Sequence, residues 1–160
     1  MAAIGWMGTG GKWIFKCGSS LISEKFLLTA AHCSRTARVD TTVTDPLPKI
    51  VRLGGHSIND YDRDGVKAVD VDIKRFISHP QYRPPRKYYD IALIEMVRAV
   101  EFEWMVHPAC LGSSLDLESV PATVTGWGVV DLATLRTAPI LQVAEIDLIT
   151  STECQTKLRF

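Results

Sequence analysis

The sequence predicts an all-β protein, and three observations carry that expectation. Short apolar and β-branched segments recur along the 160 residues. Clusters of glycine, proline and charge separate them, and no window sustains a helical period. Many short strands spaced in this way predict a sandwich or a barrel.

The elements follow in chain order. Residues 1–8 are apolar, but they lack the basic leader, long apolar core and small-residue cleavage site of a secretory signal. A buried strand is therefore expected, at 1–6. Gly8-Thr9-Gly10-Gly11 supplies an exposed turn before the strand at 13–22, and Ser23-Glu24-Lys25 supplies another before the strand at 26–30. The segment 34–49 is long for a connection between strands and carries Arg35, Arg38 and Asp40. It is expected to be a rim loop or a tolerated surface insertion. Further strands are expected at 50–53 and 66–77. In the second of these, Val69, Val71 and Ile73 alternate with Asp70, Asp72 and Lys74, as on a strand with one buried and one wet face. Pro84-Pro85-Arg86-Lys87 makes a loop before the strand at 91–97, and the last strands are expected at 122–127 and 141–148. One short helix closes the series, because Thr150 and Glu153 have the spacing of a capping box. Small, acidic and proline residues fill 112–121, placing a junction between a first domain at 1–119 and a second at 120–160.

Composition excludes several functions. Lysine plus arginine equals aspartate plus glutamate at 18 each, so no bulk field recruits nucleic acid or an anionic membrane. No apolar run approaches the roughly 18 residues of a membrane span. Cys17, Cys33, Cys110 and Cys154 contain no Cys-x-x-Cys pair, so neither a metal site nor a cofactor is implied. An even count suits an oxidising compartment, with three possible pairings; four free buried thiols in a cytosolic protein are the plainer alternative. Asp60-Tyr61-Asp62-Arg63-Asp64-Gly65 resembles the front of a calcium loop. Val71 stands where the bidentate glutamate belongs, so a solvated acidic loop is expected. His56, His79 and His107 lack liganding spacing, and the His-Pro pairs at 79–80 and 107–108 read as turn entries.

Chemistry enters at Leu27-Leu28-Thr29-Ala30-Ala31-His32-Cys33. Imidazole, with an unperturbed pKa of about 6.5, suits a general base. His32 is the candidate. Asp90 directly precedes the apolar Ile91-Ala92-Leu93-Ile94, which would seat its carboxylate at a strand entrance with little water around it. Taken singly, such a histidine reads as a packed or surface residue, and such an aspartate as a turn residue.

Order changes that reading. Cys17-Gly18-Ser19-Ser20-Leu21-Ile22, Thr29-Ala30-Ala31-His32-Cys33, Asp90-Ile91-Ala92-Leu93, Pro108-Ala109-Cys110-Leu111 and Val124-Thr125-Gly126-Trp127-Gly128 follow one another along the chain. Together they resemble the trypsin-like (chymotrypsin-fold) serine endopeptidases of the S1 family, from the first residue to about Leu158. Met1-Ala2-Ala3-Ile4-Gly5-Trp6 is similar to the first barrel strand of the arthropod clip-domain proteases.

The resemblance implies a complete first antiparallel β-barrel carrying catalytic His32 and Asp90, followed by an incomplete second barrel. It implies a secreted protein whose full-length parent cleaves protein or peptide substrates through an acyl-enzyme. It also implies a disulfide between Cys17 and Cys33, a tether from Cys110 to an upstream segment, and a downstream mate for Cys154. The family's Gly-Asp-Ser-Gly-Gly motif, which bears the nucleophile, is absent from the 160 residues. Ser19, Ser20, Ser113 and Ser114 lack the glycine-flanked setting that would replace it. The expectation is a truncated, inactive piece of a protease. The alternative is a non-catalytic protease homologue that acts as a binding or regulatory protein.

Overall fold

The computed structural model describes residues 1–58, 67–112, 121–134 and 136–158. The chain divides into two compact units, Met1–Cys110 and Leu111–Phe160. The junction expected at 112–121 falls largely outside the described residues, as do Asp60 to Gly65 of the acidic loop.

The first unit is a closed antiparallel barrel. Its strands are β1 (Ala2–Met7), β2 (Trp13–Leu21), β3 (Phe26–Thr29), β4 (Ile50–Leu53), β5 (Val69–Ser78) and β6 (Ala92–Met96). Around the barrel the order is β1, β2, β3, β6, β5, β4, and β4 pairs again with β1. Closure leaves no open sheet edge. The apolar run 1–6 forms a core strand, with Ala2, Ile4 and Trp6 at most 1% exposed. Leu21, Leu27, Val51, Val71, Ile94 and Met96 pack beside them in the interior. The Trp6 indole N–H donates to the Pro46 carbonyl at 2.9 Å, so the long loop after β3 satisfies a polar atom at the core's margin.

Alternation along β5 follows the sequence as far as Ile73. A register shift between Ile73 and Arg75 then lets Phe76 pack against the core while Arg75 stays outside. Two groups of outward charges on the barrel are paired across strands. Arg52 on β4 lies opposite Asp70 on β5, and its Nε and Nη2 fork onto the two carboxylate oxygens at 2.7 Å each. Its guanidinium also lies 4.8 Å from the centre of the Phe15 ring. Glu95, opposite Arg75, accepts from both Arg75 and Lys74.

The second unit holds two partial sheets. β7 (Ala122–Gly126) pairs with a strand at Gln142–Ile146, while β8 (Val129–Asp131) pairs with β9 (Arg136–Thr137); the Gln142–Ile146 strand is β10. β8 and β9 were not expected from the sequence. They are short, and the turn between them is built by Asp131, whose Oδ1 accepts the Ala133 and Thr134 amides at 3.0 and 3.3 Å. Helix α1 (Ser151–Lys157) starts where the Thr150 signal placed it, with Oγ1 accepting the Glu153 amide at 3.2 Å. Only half of the expected capping box forms, because the Glu153 carboxylate turns to Lys157 at 2.9 Å.

Among the described residues, no helix is long and apolar enough to cross a membrane.

Candidate active site

The register of two neighbouring strands assembles the site. β3 and β6 pair with Thr29 opposite Ala92, so the residues after Thr29 and those before Ala92 emerge at the same end of the barrel. Ala30 is still extended, at φ −82° and ψ 145°, and a 3-10 turn follows over Ala31–Ser34. Within it Ala31 and Cys33 point inward, at 0% and 5% exposure. His32, between them, is turned out.

Asp90 reaches His32 from the mouth of β6. Its Oδ1 accepts the His32 backbone N–H at 2.8 Å, and its Oδ2 lies 2.7 Å from the ring Nδ1. The Ala31 amide also donates to it. Burial pushes the Asp90 carboxyl up, but the side-chain and backbone hydrogen bonds from His32, with its nearby charge, outweigh that push and hold it below the usual value. An ionised carboxylate at this distance needs a donor facing it. Nδ1 therefore presents a proton to Asp90, and Nε2 is the ring nitrogen that Asp90 leaves unengaged. The imidazole is 56% exposed and the Asp90 side chain 19%. The two candidate residues thus meet, with the imidazole exposed on its other side.

The wall behind His32 is fastened by a bridge. β2 and β3 pair only at Ser20–Leu28 and Leu21–Leu27. Closer to the site, Thr29 Oγ1 donates to the Gly18 carbonyl at 2.8 Å, and Cys17 is disulfide-bonded to Cys33 with Cα atoms 6.1 Å apart. Sulfur takes over where the ladder ends. Cys17, His32 and Cys33 offer potential metal-ligand atoms within 4.8 Å of one another. Both sulfurs are spent in the bridge and neither is a thiolate, so the trio does not form a metal site while the bridge is intact.

The remaining candidates sit elsewhere. Ser19 is buried in β2, with Oγ 3.4 Å from the Ala2 carbonyl oxygen. Ser20 is a ladder residue opposite Leu28, and Ser113 and Ser114 lie outside the described residues. Cys110 is exposed, Cys154 is half-buried, and both are free. His79 Nδ1 accepts the Gln81 amide at 3.2 Å, the turn entry expected of it, and His107 tilts against Phe102.

Sequence reasoning did not single out two tyrosines beside Asp90. Tyr82 has its hydroxyl pKa raised by burial and by the Asp90 charge. Tyr89 adopts a left-handed backbone at φ 59° and stacks on His79, with ring centroids 4.9 Å apart and planes 8° from parallel. The available signal was the Tyr88-Tyr89 pair directly ahead of the acid.

Comparison with known proteins agrees with this architecture. The chain matches the Trypsin family over residues 5–159. It is 34% identical over 161 residues to the serine protease snk of Drosophila melanogaster, covering 97% of this chain and 34% of that protein. It is 35% identical over 160 residues to the serine protease Hayan of the same organism, covering 96% of this chain and 23% of that one. The chain therefore spans about a third or less of these relatives' length. The crystal structure of the Drosophila Grass clip serine protease of the Toll pathway superposes with a TM-score of 0.74 at 28% identity, over 98% of this chain and 45% of that one. A six-stranded barrel in this register, with a family match running almost end to end, leads to one conclusion: the chain belongs to the trypsin family of serine endopeptidases, and its arthropod clip-type relatives fit that placement.

Proposed function

We propose that residues 1–160 carry the general base and the orienting acid of a secreted serine endopeptidase. His32 takes the proton of a serine hydroxyl through Nε2. Asp90 holds the tautomer with hydrogen on Nδ1 and stabilises the imidazolium that forms. The observation that supports this most directly is the two-point hold of Asp90 on the His32 amide and ring. The amide bond seats the carboxylate beside the His32 backbone, and the second oxygen then orients the ring through Nδ1.

The nucleophile, the amides that bind the oxyanion and the primary specificity pocket belong, in this family, to segments that these residues do not include. We read the stretch as a fragment of the catalytic unit that leaves peptide bonds intact when isolated. Protein or peptide substrates are those of the longer parent. The disulfide supports an oxidising, extracellular setting. Cys110, exposed and free, is the tether to an upstream segment.

A fluorophosphonate probe, which labels only an activated serine, tests the reading. The transcript beyond the Phe160 codon is expected to encode Gly-Asp-Ser-Gly-Gly. The full protein is expected to take the label, His32→Ala to lose it by orders of magnitude, and the isolated 160 residues to stay unlabelled. Labelling of the isolated chain, or labelling indifferent to His32→Ala, overturns the proposal. A glycine in place of the serine makes the parent a non-catalytic homologue instead.

A further inference from the structure

Asp90 sits at the apex of a tight turn that its own sequence does not favour. The Ile91 amide donates back to the Tyr89 carbonyl at 2.8 Å, closing a three-residue turn centred on Asp90. That closure is accompanied by the left-handed backbone of Tyr89. A bulky side chain is disfavoured there, since its Cβ crowds the carbonyl, and glycine or asparagine is the usual occupant. Something must hold a tyrosine in place.

His79 is the neighbour that can do so. Its backbone N–H donates to the Ile91 carbonyl at 3.0 Å, so His79 is fastened to the residue after Asp90. Its imidazole lies parallel to the Tyr89 ring at 4.9 Å, so it also grips the residue before Asp90. The imidazole is oriented in turn by the Gln81 amide on Nδ1. His79 thus touches the turn on both sides of the acid. Tyr89 itself is 52% exposed, so burial in the core does not explain its conformation.

We infer that the Tyr89–His79 ring stack is a positioning device that locks the left-handed turn and aims both oxygens of Asp90 at His32. Tyr89 and His79 act through Asp90 and touch no reactant. The inference rests on the reading of His32 and Asp90 as base and acid. It goes beyond that reading by naming the residues that keep the pair in register.

The test uses the 15N-labelled 160-residue chain and the downfield proton resonance of His32 Nδ1–H, the signature of a ring proton held by a carboxylate. Backbone amide signals of the barrel strands report that each variant is folded. The wild-type chain is expected to show the resonance and Asp90→Asn to lose it. Tyr89→Phe, which keeps the stack, is expected to retain it. Tyr89→Gly, which accepts the left-handed backbone without a ring, and His79→Ala, which keeps the backbone bond without a ring, are both expected to lose it. Persistence in Tyr89→Gly and His79→Ala overturns the inference and leaves the base-acid reading intact. Absence from the wild-type chain overturns both.

Discussion

Replacing Cys17 and Cys33 together by alanine tests how the wall behind His32 is held. The bridge closes a loop with a sequence separation of 16. In the chain-entropy picture, a cross-link over a loop of that size removes about 10 cal/mol/K from the unfolded ensemble, or about 3 kcal/mol at room temperature. Cys33 is 5% exposed, so losing its sulfur also leaves a small gap worth on the order of 1 kcal/mol. The double variant should lose about 3–4 kcal/mol, a fall in melting temperature of roughly 10–15 °C for a unit of this size. Urea unfolding followed by tryptophan fluorescence measures it, with Trp6 at 1% exposure reporting the barrel interior. The midpoint should fall and the slope should rise, because the uncrosslinked chain unfolds to a more expanded state. Reducing the wild-type chain with dithiothreitol should give most of the same loss. A loss below about 1 kcal/mol would refute the claim that the sulfur bridge takes over where the ladder between β2 and β3 ends.

Three further outcomes are expected. Ile94→Ala empties a fully buried position between Leu27 and Phe76 and should cost about 2–5 kcal/mol in the same urea titration. Gly5→Ala places a Cβ 2.8 Å from Ile50 Cγ1 and 2.9 Å from Phe15 Cε1, and should destabilise the barrel by about 1–3 kcal/mol through overpacking. Acid should weaken the fold because several carboxyls lie below their usual values. Asp40 is lowered from 3.8 to about 2 by the Thr42 hydroxyl and Lys16, and Asp90 and Glu95 are also lowered. A depressed carboxyl contributes stability that is present above its unfolded value and lost as pH falls through its folded one, so the decline should run from about pH 4 to about pH 2. Stability against pH, measured for the wild-type chain and Asp40→Asn, checks this; an unchanged slope in the variant would contradict it.

Much of the barrel was legible because its signals are local. The alternation at Val69 to Ile73, the turn residues around Gly8 and Ser23, and the Thr150 cap each act within a few residues of themselves, and the folded elements begin close to them. β8 and β9 were not legible. Strands this short draw their stability from each other and from the Asp131 turn, and strand preference depends on the neighbour more than on the residue. The bulge after Ile73 was also invisible, since it is set by pairing with β6.

The sequence by itself determined the family, through five motifs in order, and named His32 and Asp90 as the pair to examine. It left the geometry of that pair open. Tertiary structure decided that Thr29 lies opposite Ala92, which brings residues 58 apart to within 2.7 Å. It likewise decided that Cys17 and Cys33 meet, and that Tyr89 takes a backbone its side chain disfavours while its ring lies on His79. The physical reason is common to all three. Local preference acts along the chain, whereas registers, bridges and ring stacks depend on what the closed barrel brings together across it.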